Sequence, residues 1–163
     1  MQQRRPRNIF YILEILIMAA LLVFMIIMLT AGKAKVVPIE EIRAQMEEIP
    51  SVKELQKKDM SDAAKTFGID PALLEEGLYY SVDDIMNVNE LLIVRIEDDE
   101  GRQKVIDAVE KYLAEKTASF DGYGTNQFGL LSAAVTTEKG TYFFFGVSED
   151  VLEWETQFLK AIG

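Results

Sequence analysis

A single unbroken apolar run near the N-terminus constrains this chain more than any other feature. Residues 9–29 are 21 consecutive positions with one charged side chain, Glu14. An α-helix rises about 1.5 Å per residue, so roughly 20 apolar residues cross a hydrocarbon core about 30 Å thick. The run therefore predicts a transmembrane anchor over residues 9–31.

A cleaved signal peptide is the competing interpretation of this run. The small residues Thr30, Ala31 and Gly32 follow it, as they would at a cleavage site. The apolar part of a signal peptide spans about 7–15 residues, which is shorter than the run found here. We therefore expect the helix to be retained.

The charges before the run predict its direction. Arg4, Arg5 and Arg7 lie in a basic tail, residues 1–8, which contains no acidic side chain. Positive charge favours the cytoplasmic side of a membrane helix. We expect a single-pass protein of the cell membrane with a cytoplasmic N-terminus and an extracellular C-terminal domain.

Glu14 is costly to bury in lipid as a charged group. Its place near the cytoplasmic end lets the side chain reach the membrane interface, which is the simpler interpretation. The alternative is a contact with another membrane protein, which makes Glu14 a candidate partner-interface residue.

Charge and composition exclude several classes of function. The chain has 17 basic and 27 acidic residues, and removing the N-terminal arginines and Glu14 leaves a net charge of −12 for residues 33–163. Such a domain repels nucleic acid. With no cysteine and no histidine there is no disulfide, lipid-modified cysteine, thiol nucleophile or imidazole chemistry. We predict neither a metal nor a cofactor.

Residues 32–38 form a short predicted linker, and residues 39–163 are long enough for one domain. Its first part, residues 39–76, predicts short helices at 39–48, from Ser51 onward and at 61–68. Ser51 and Glu54 have the spacing of a capping box. Asp70 and Pro71 predict a further helical start.

The second part, residues 77–163, predicts a core of strands and helices. The pattern indicates strands at 78–82, 90–96, 130–137 and 141–148, helices at 102–119 and 149–161, and a glycine-rich loop at 121–129. This order is typical of an α+β domain with a roughly four-stranded, mainly antiparallel sheet. We expect the two long helices to pack on one face of that sheet.

The strand at 141–148 is apolar on both sides. Phe143, Phe145 and Val147 point one way, and Tyr142 and Phe144 point the other. If the second face is uncovered, Tyr142 and Phe144 form an apolar surface for a protein partner or a second copy. The alternative is that residues 39–76 fold back and cover it.

Five short features, in this order and spacing, resemble a family of uncharacterised extracytoplasmic domains from Gram-positive bacteria, a domain of unknown function. They span roughly residues 67–163 and are Tyr79-Tyr80, Asn89-Glu90-Leu91, Phe120-x-x-Tyr123, Gly140-x-Tyr142 and Val147-Ser148-x-Asp150. The resemblance implies a small secreted lipoprotein or membrane-anchored protein without assigned catalysis. The chain departs from the lipoprotein form because it has no cysteine after the apolar run, and from the family pattern because Gly124-Thr125 follows Tyr123 with no proline nearby.

These observations favour a non-enzymatic, membrane-anchored binding or assembly module that recognises a protein or a cell-envelope component. The first alternative is a small-molecule or glycan receptor, whose amide and aromatic site residues are Tyr79, Asn89, Tyr123, Asn126 and Gln127. The family resemblance suggests another, an accessory subunit of a system that modifies envelope polymers by O-acylation.

Acidic side chains raise two further alternatives that we do not favour. Asp83, Asp84 and Glu90 could supply a catalytic carboxylate pair of the kind used in glycoside hydrolysis, but such pairs arise by chance in an acidic chain. Residues 97–100 could suggest calcium, yet they lack the alternating ligands of a calcium loop. They instead predict the negative N-terminus of a helix.

Overall fold

The computed structural model describes residues 7–30, 36–74 and 76–163, with side chains for residues 11–25, 36–74 and 76–163. The chain divides into two compact units, Met1–Lys33 and Ala34–Gly163. Most of the predicted basic tail and of the predicted linker lies outside the described residues.

The apolar run forms a helix, α1, from Arg7 to Thr30. Its described apolar side chains are exposed, with Ile15 at 67% and Met18 at 65%. Across the residues that the structure describes, no helix combines the length and the apolar character needed to span a membrane.

The second unit is built on one antiparallel sheet, which confirms the α+β class. It has five strands in the spatial order β1-β2-β3-β5-β4, one more than the sequence predicts. The strands are β1 (Gln56–Lys58), β2 (Gly77–Ser81), β3 (Glu90–Arg95), β4 (Val135–Lys139) and β5 (Tyr142–Val147). The additional strand, β1, pairs with β2 at one edge.

Six further α-helices and one 3-10 turn surround the sheet. The 3-10 turn covers Pro71–Leu74, where Asp70 accepts a hydrogen bond from the backbone N–H of Ala72 at 3.0 Å. The helices are α2 (Ile39–Met46), α3 (Pro50–Lys53), α4 (Met60–Phe67), α5 (Asp99–Ser119), α6 (Thr125–Ser132) and α7 (Val151–Ala161).

Both faces of the sheet are covered, because its two central strands, β3 and β5, are apolar on both sides. On the first face α4 and α5 pack against the sheet, and Val105 and Val109 of α5 are fully buried there. The strand residues in this cluster are Tyr79, Leu92, Val94, Phe143, Phe145 and Val147.

On the second face, α2, α3 and α7 cover the side chains that point the other way. Trp154 and Phe158 of α7 are fully buried, and the Phe158 ring stacks on Phe144 at 5.2 Å. The prediction that both long helices share one face is therefore wrong, because α5 and α7 lie on opposite faces.

Tyr142 and Phe144 are also fully buried, so the apolar surface considered for a protein partner or a second copy is covered. The alternative interpretation was correct in part, since residues from 39–76 do cover this face, together with α7. The physical reason is that a fully apolar strand face needs a cover, and the apolar stripe of α7 supplies one from within the chain.

The start of the second unit is fixed to the first residue of β5, an inner strand of the sheet. The Tyr142 hydroxyl accepts a hydrogen bond from the Val37 N–H at 2.8 Å and donates one to the Val37 carbonyl at 2.6 Å. Val37 itself is buried. The last residues of the predicted linker are therefore part of the folded domain.

Two local predictions are wrong. Ser51 does not form a capping box, because α3 begins at Pro50 and the Ser51 hydroxyl accepts a hydrogen bond from the indole N–H of Trp154 at 3.0 Å. Residues 125–132 are helical, so the predicted loop contains α6 and β4 starts at Val135 instead of residue 130.

Candidate functional site

A polar groove lies at one end of the sheet, where four segments meet. These are α3, the loop between β2 and β3, α6 and the residues just before α7. The groove encloses about 360 Å³ and is lined mainly by amide, hydroxyl and carboxylate side chains. This volume lies within the range of about 300–1,000 Å³ that is common for ligand sites.

Hydrogen bonds hold the β2–β3 loop in place above the groove. Asp84 accepts from the N–H of Met86, and Asn87 accepts from the N–H of Asn89, both at 2.9 Å. Such side-chain turns are a common use of Asp and Asn in loops. The Gln127 amide then donates to the Met86 carbonyl at 2.9 Å, which joins this loop to α6.

The groove is rich in hydrogen-bond acceptors. The carboxylates of Glu54, Glu149 and Asp150 line it, and none of the three forms an ion pair with another described residue. Ionised carboxylates only accept hydrogen bonds. The groove therefore matches a ligand that donates hydrogen bonds, through hydroxyl, amide or ammonium groups.

Three of the five residues predicted for a receptor site meet in this groove: Asn89, Asn126 and Gln127. The other two do not line it. Tyr79 is buried beside the groove, while Tyr123 is 68% exposed and packs its ring against Phe120 at 5.8 Å.

A buried carboxylate lies next to the groove. Glu90, at the start of β3, is only 2% exposed and accepts hydrogen bonds from the hydroxyl of Tyr79 at 2.5 Å and the hydroxyl of Tyr112 at 2.8 Å. The Lys116 ammonium donates to Glu90 at 2.9 Å and to the Tyr112 hydroxyl at 2.5 Å. We call these four residues the Glu90 cluster. Charge pairing and hydrogen bonds together make such a burial tolerable.

The phenols of the Glu90 cluster hold their protons tightly. Burial raises the pKa of Tyr79 and Tyr112 far above the ordinary value, and the negative charge of Glu90 raises it further. The pKa of Tyr80 is raised in the same way by burial and by its hydrogen bond to Glu47. These hydroxyls act as hydrogen-bond donors to carboxylates.

A second, smaller cavity of about 230 Å³ opens beside the Glu90 cluster. All four members of the cluster line it, and so do the hydroxyls of Thr66 and Ser81. Asn87 and Asn89 line both this cavity and the groove. The two spaces are therefore neighbours on either side of the β2–β3 loop.

The three carboxylates considered for catalysis have different partners. Glu90 is buried in its cluster, Asp84 caps the turn at Met86, and Asp83 pairs with Lys58 at 2.5 Å. The hydrogen bond from Lys58 lowers the pKa of Asp83. Among the residues that the structure describes, no two of these carboxylates share a hydrogen-bond partner.

The acidic group at residues 97–100 begins α5. Asp98 is its N-cap and accepts a hydrogen bond from the Gly101 N–H at 2.6 Å. Within the described parts of the chain, no group of acidic side chains is arranged to hold a metal ion. The helix interpretation of these residues is confirmed, because Asp98 caps the N-terminus of α5.

Sequence reasoning missed the Glu90 cluster, although two signals for it were present. Glu90 alternates with Leu92 and Val94, so it points to a buried face. Tyr112 and Lys116 continue the apolar line of Val105 and Val109 along α5. A buried acid on a strand and a basic residue on the inner line of a helix predict each other as partners.

Comparison with known proteins identifies a family for the domain. A model described as "Domain of unknown function (DUF4358)" matches residues 49–148, which is more than half of the chain. No curated protein matches the chain, and no solved structure matches it either.

Proposed function

The chain belongs to the DUF4358 family, domains of unknown function, and from that premise we propose that it is a membrane-anchored, extracytoplasmic module that binds a hydroxyl-rich cell-envelope component. The observation that carries this proposal is the acceptor-rich groove that brings together Asn89, Asn126 and Gln127. Amide side chains both donate and accept hydrogen bonds, as recognition of sugar hydroxyls requires.

The charge of the groove narrows the ligand class. Its three carboxylates repel anionic groups and favour neutral or cationic ones. A neutral saccharide, or one that carries an amino group, fits this chemistry. A polyphosphate or an anionic polysaccharide does not.

A binding role fits the state of the reactive groups better than a catalytic role. Both Glu90 oxygens already accept hydrogen bonds, and the pKa values of its tyrosine partners are raised instead of lowered. An activated nucleophile or base needs the opposite arrangement. The proposed module is therefore non-enzymatic.

The membrane attachment in this proposal rests on the sequence. The apolar run at residues 9–29, preceded by three arginines, is the tether, and Glu14 is the position on it where another membrane protein could bind. Because the chain has no cysteine, a lipid-modified cysteine cannot anchor it. A Gram-positive envelope, as the resemblance implies, is the proposed setting.

Calorimetric titration of the full chain in mild detergent tests the groove. The probes are neutral chito-oligosaccharides, their cationic counterparts that are de-N-acetylated at one unit, and anionic oligogalacturonates. We expect the first two to bind and the third not to bind. Asn126→Ala should weaken binding about tenfold, because it removes hydrogen bonds on the groove wall.

The matched control is Gln103→Ala, which removes an exposed amide from α5 away from the groove. It should leave affinity unchanged. Binding of the anionic probe alone, or no binding by any probe, would contradict the proposed ligand class.

A second candidate is an assembly role with a protein partner, such as an accessory subunit of an O-acylation system. It is favoured by exposed apolar side chains on the β2–β3 loop and near α6: Ile85 at 88%, Met86 at 49%, Tyr123 at 68% and Phe128 at 39%. The Gln127–Met86 hydrogen bond joins the two segments that carry them. Co-purification from membranes that is lost in Ile85→Ser but not in Leu152→Ser would support this candidate.

A further inference from the structure

The smaller cavity beside the Glu90 cluster has no role in the groove described so far, yet it has the features of a binding site. Its lining is almost entirely polar, with hydroxyl, amide, carboxylate and ammonium groups, and Val82 is the one apolar residue among them.

Its volume indicates a subsite, not an independent site. About 230 Å³ is below the range of about 300–1,000 Å³ that is common for complete ligand sites. The cavity shares Asn87 and Asn89 with the groove, so the two spaces adjoin at these residues.

Lys116 provides a directed donor at this cavity. Its ammonium group has three N–H bonds. Two have acceptors, in Glu90 and in the Tyr112 hydroxyl, and no further acceptor for it is found among the described residues. Its side chain is 24% exposed, so the remaining donor is accessible from the cavity.

The charge balance of the cavity defines what can enter. Glu90 and Lys116 neutralise each other at 2.9 Å, so the cavity has no net charge to offer. A charged group that entered would lose its hydration without gaining a full counter-ion. A neutral group with several hydroxyl or carbonyl oxygens could instead use the Lys116 donor and the hydroxyls of Thr66 and Ser81.

We propose that this cavity is a second subsite of the groove and takes an uncharged sugar unit, so that the ligand is a saccharide of at least two units. One unit lies in the acidic groove, where an amino group is tolerated. The neighbouring unit lies beside Lys116, where only a neutral unit fits. This inference rests on the proposed saccharide-binding function and assigns its second contact.

The test compares a monosaccharide with a disaccharide on the full chain in mild detergent. The probes are N-acetylglucosamine and diacetylchitobiose. The second subsite adds one or two hydrogen bonds, so we expect the disaccharide to bind about tenfold more tightly. Equal affinities would overturn the inference while leaving the groove itself intact.

A blocking variant locates the second contact. Thr66 is an exposed residue of α4 on the rim of the cavity, so Thr66→Phe fills the space from its rim. It should remove the advantage of the disaccharide and leave monosaccharide affinity unchanged. The matched control is Lys65→Phe, which adds the same ring to an exposed neighbour that lines neither cavity.

The second subsite and the proposed saccharide-binding function, on which it rests, can fail separately. If Thr66→Phe binds the disaccharide as tightly as the unmodified chain does, the subsite is wrong. Ser81→Val, which replaces a lining hydroxymethyl group by an apolar isopropyl group, gives a second measurement in case Thr66→Phe unfolds. If neither saccharide binds the unmodified chain, the proposed function itself fails.

Discussion

At the scale of single residues, Glu90 connects three elements. Its carboxylate on β3 accepts hydrogen bonds from Tyr79 on β2 and from Tyr112 and Lys116 on α5. A buried carboxylate with every oxygen occupied stabilises one arrangement of its neighbours, because any other arrangement would leave it without partners.

Glu90→Gln should therefore destabilise the domain even though it preserves shape. The amide has one acceptor oxygen in place of two and leaves Lys116 without its counter-ion, so we expect a loss of about 1–3 kcal/mol in the free energy of unfolding. Urea unfolding of the full chain measures it. Glu97→Gln is the control, since Glu97 is exposed and its ion pair with Arg95 is long, at 3.4 Å. Equal effects of the two variants would mean that the Glu90 cluster contributes no more to stability than an exposed ion pair does.

The raised pKa values of Tyr79, Tyr80 and Tyr112 predict a loss of stability in alkali. In the unfolded chain these phenols have a pKa of 10.0. Below that pH the folded and the unfolded states both keep the protons, and the three hydroxyls make their full contribution to stability. Above pH 10 the unfolded chain releases them while the folded chain keeps them. Stability should then fall by up to about 1.4 kcal/mol per pH unit for each phenol.

Urea midpoints at pH 8, 10 and 11 measure this dependence. Tyr112→Phe should lower the slope above pH 10 because it removes one of the three protons. Tyr123→Phe, which removes an exposed phenol, is the comparison. A urea midpoint that does not move between pH 10 and pH 11 would show that folding does not raise the pKa of these hydroxyls.

At the scale of elements, α7 is what closes the second face of the sheet. Trp154→Ala should cost about 3–5 kcal/mol, because it removes a fully buried ring and its hydrogen bond to Ser51. Leu152→Ala lies two residues away on the same helix, where Leu152 is 67% exposed, and should change stability by less than about 0.5 kcal/mol. Thermal or urea unfolding distinguishes them. A small effect of Trp154→Ala would mean that α7 is not part of the core.

An element can be predicted from the sequence when its own residues stabilise it, and is missed when contacts with distant residues do so. α5, β3, β5 and α7 carry their own apolar periodicity, so they were found within a few residues. β1 has the sequence Gln-Lys-Lys and is a strand only because it pairs with β2, for example Lys57 with Tyr80. α6 was missed because glycines and amides around Gly124 and Gly129 predict a loop, whereas α6 packs through Leu131 against the core.

The groove was likewise predicted in part from the sequence. Asn89, Asn126 and Gln127 were predicted because loop amides are visible in a sequence, and the fold brings them together. The assignment of faces failed because periodicity gives the apolar side of a helix and not the side of the sheet on which the helix lies. Tyr142 and Phe144 were placed correctly on one strand face, but the element that covers them could not be deduced from their own pattern.

At the scale of the whole molecule, the absence of cysteine makes topology directly measurable. Leu152→Cys introduces one thiol at a position that is 67% exposed. If the proposed orientation is right, a membrane-impermeant maleimide should label it in intact cells. The unmodified chain is the control for background. Labelling only after the cells are lysed would place the domain in the cytoplasm and contradict the proposal.

The two hydrogen bonds between Tyr142 and Val37 also have a mechanical consequence. Any tension that arrives along the backbone from the N-terminal side reaches Val37 before it reaches α2. The two hydrogen bonds transmit this tension to β5, which pairs with a strand on each side. The backbone hydrogen bonds of β5 to β3 and β4 then share the load. A domain held in this way resists being opened from its N-terminal end.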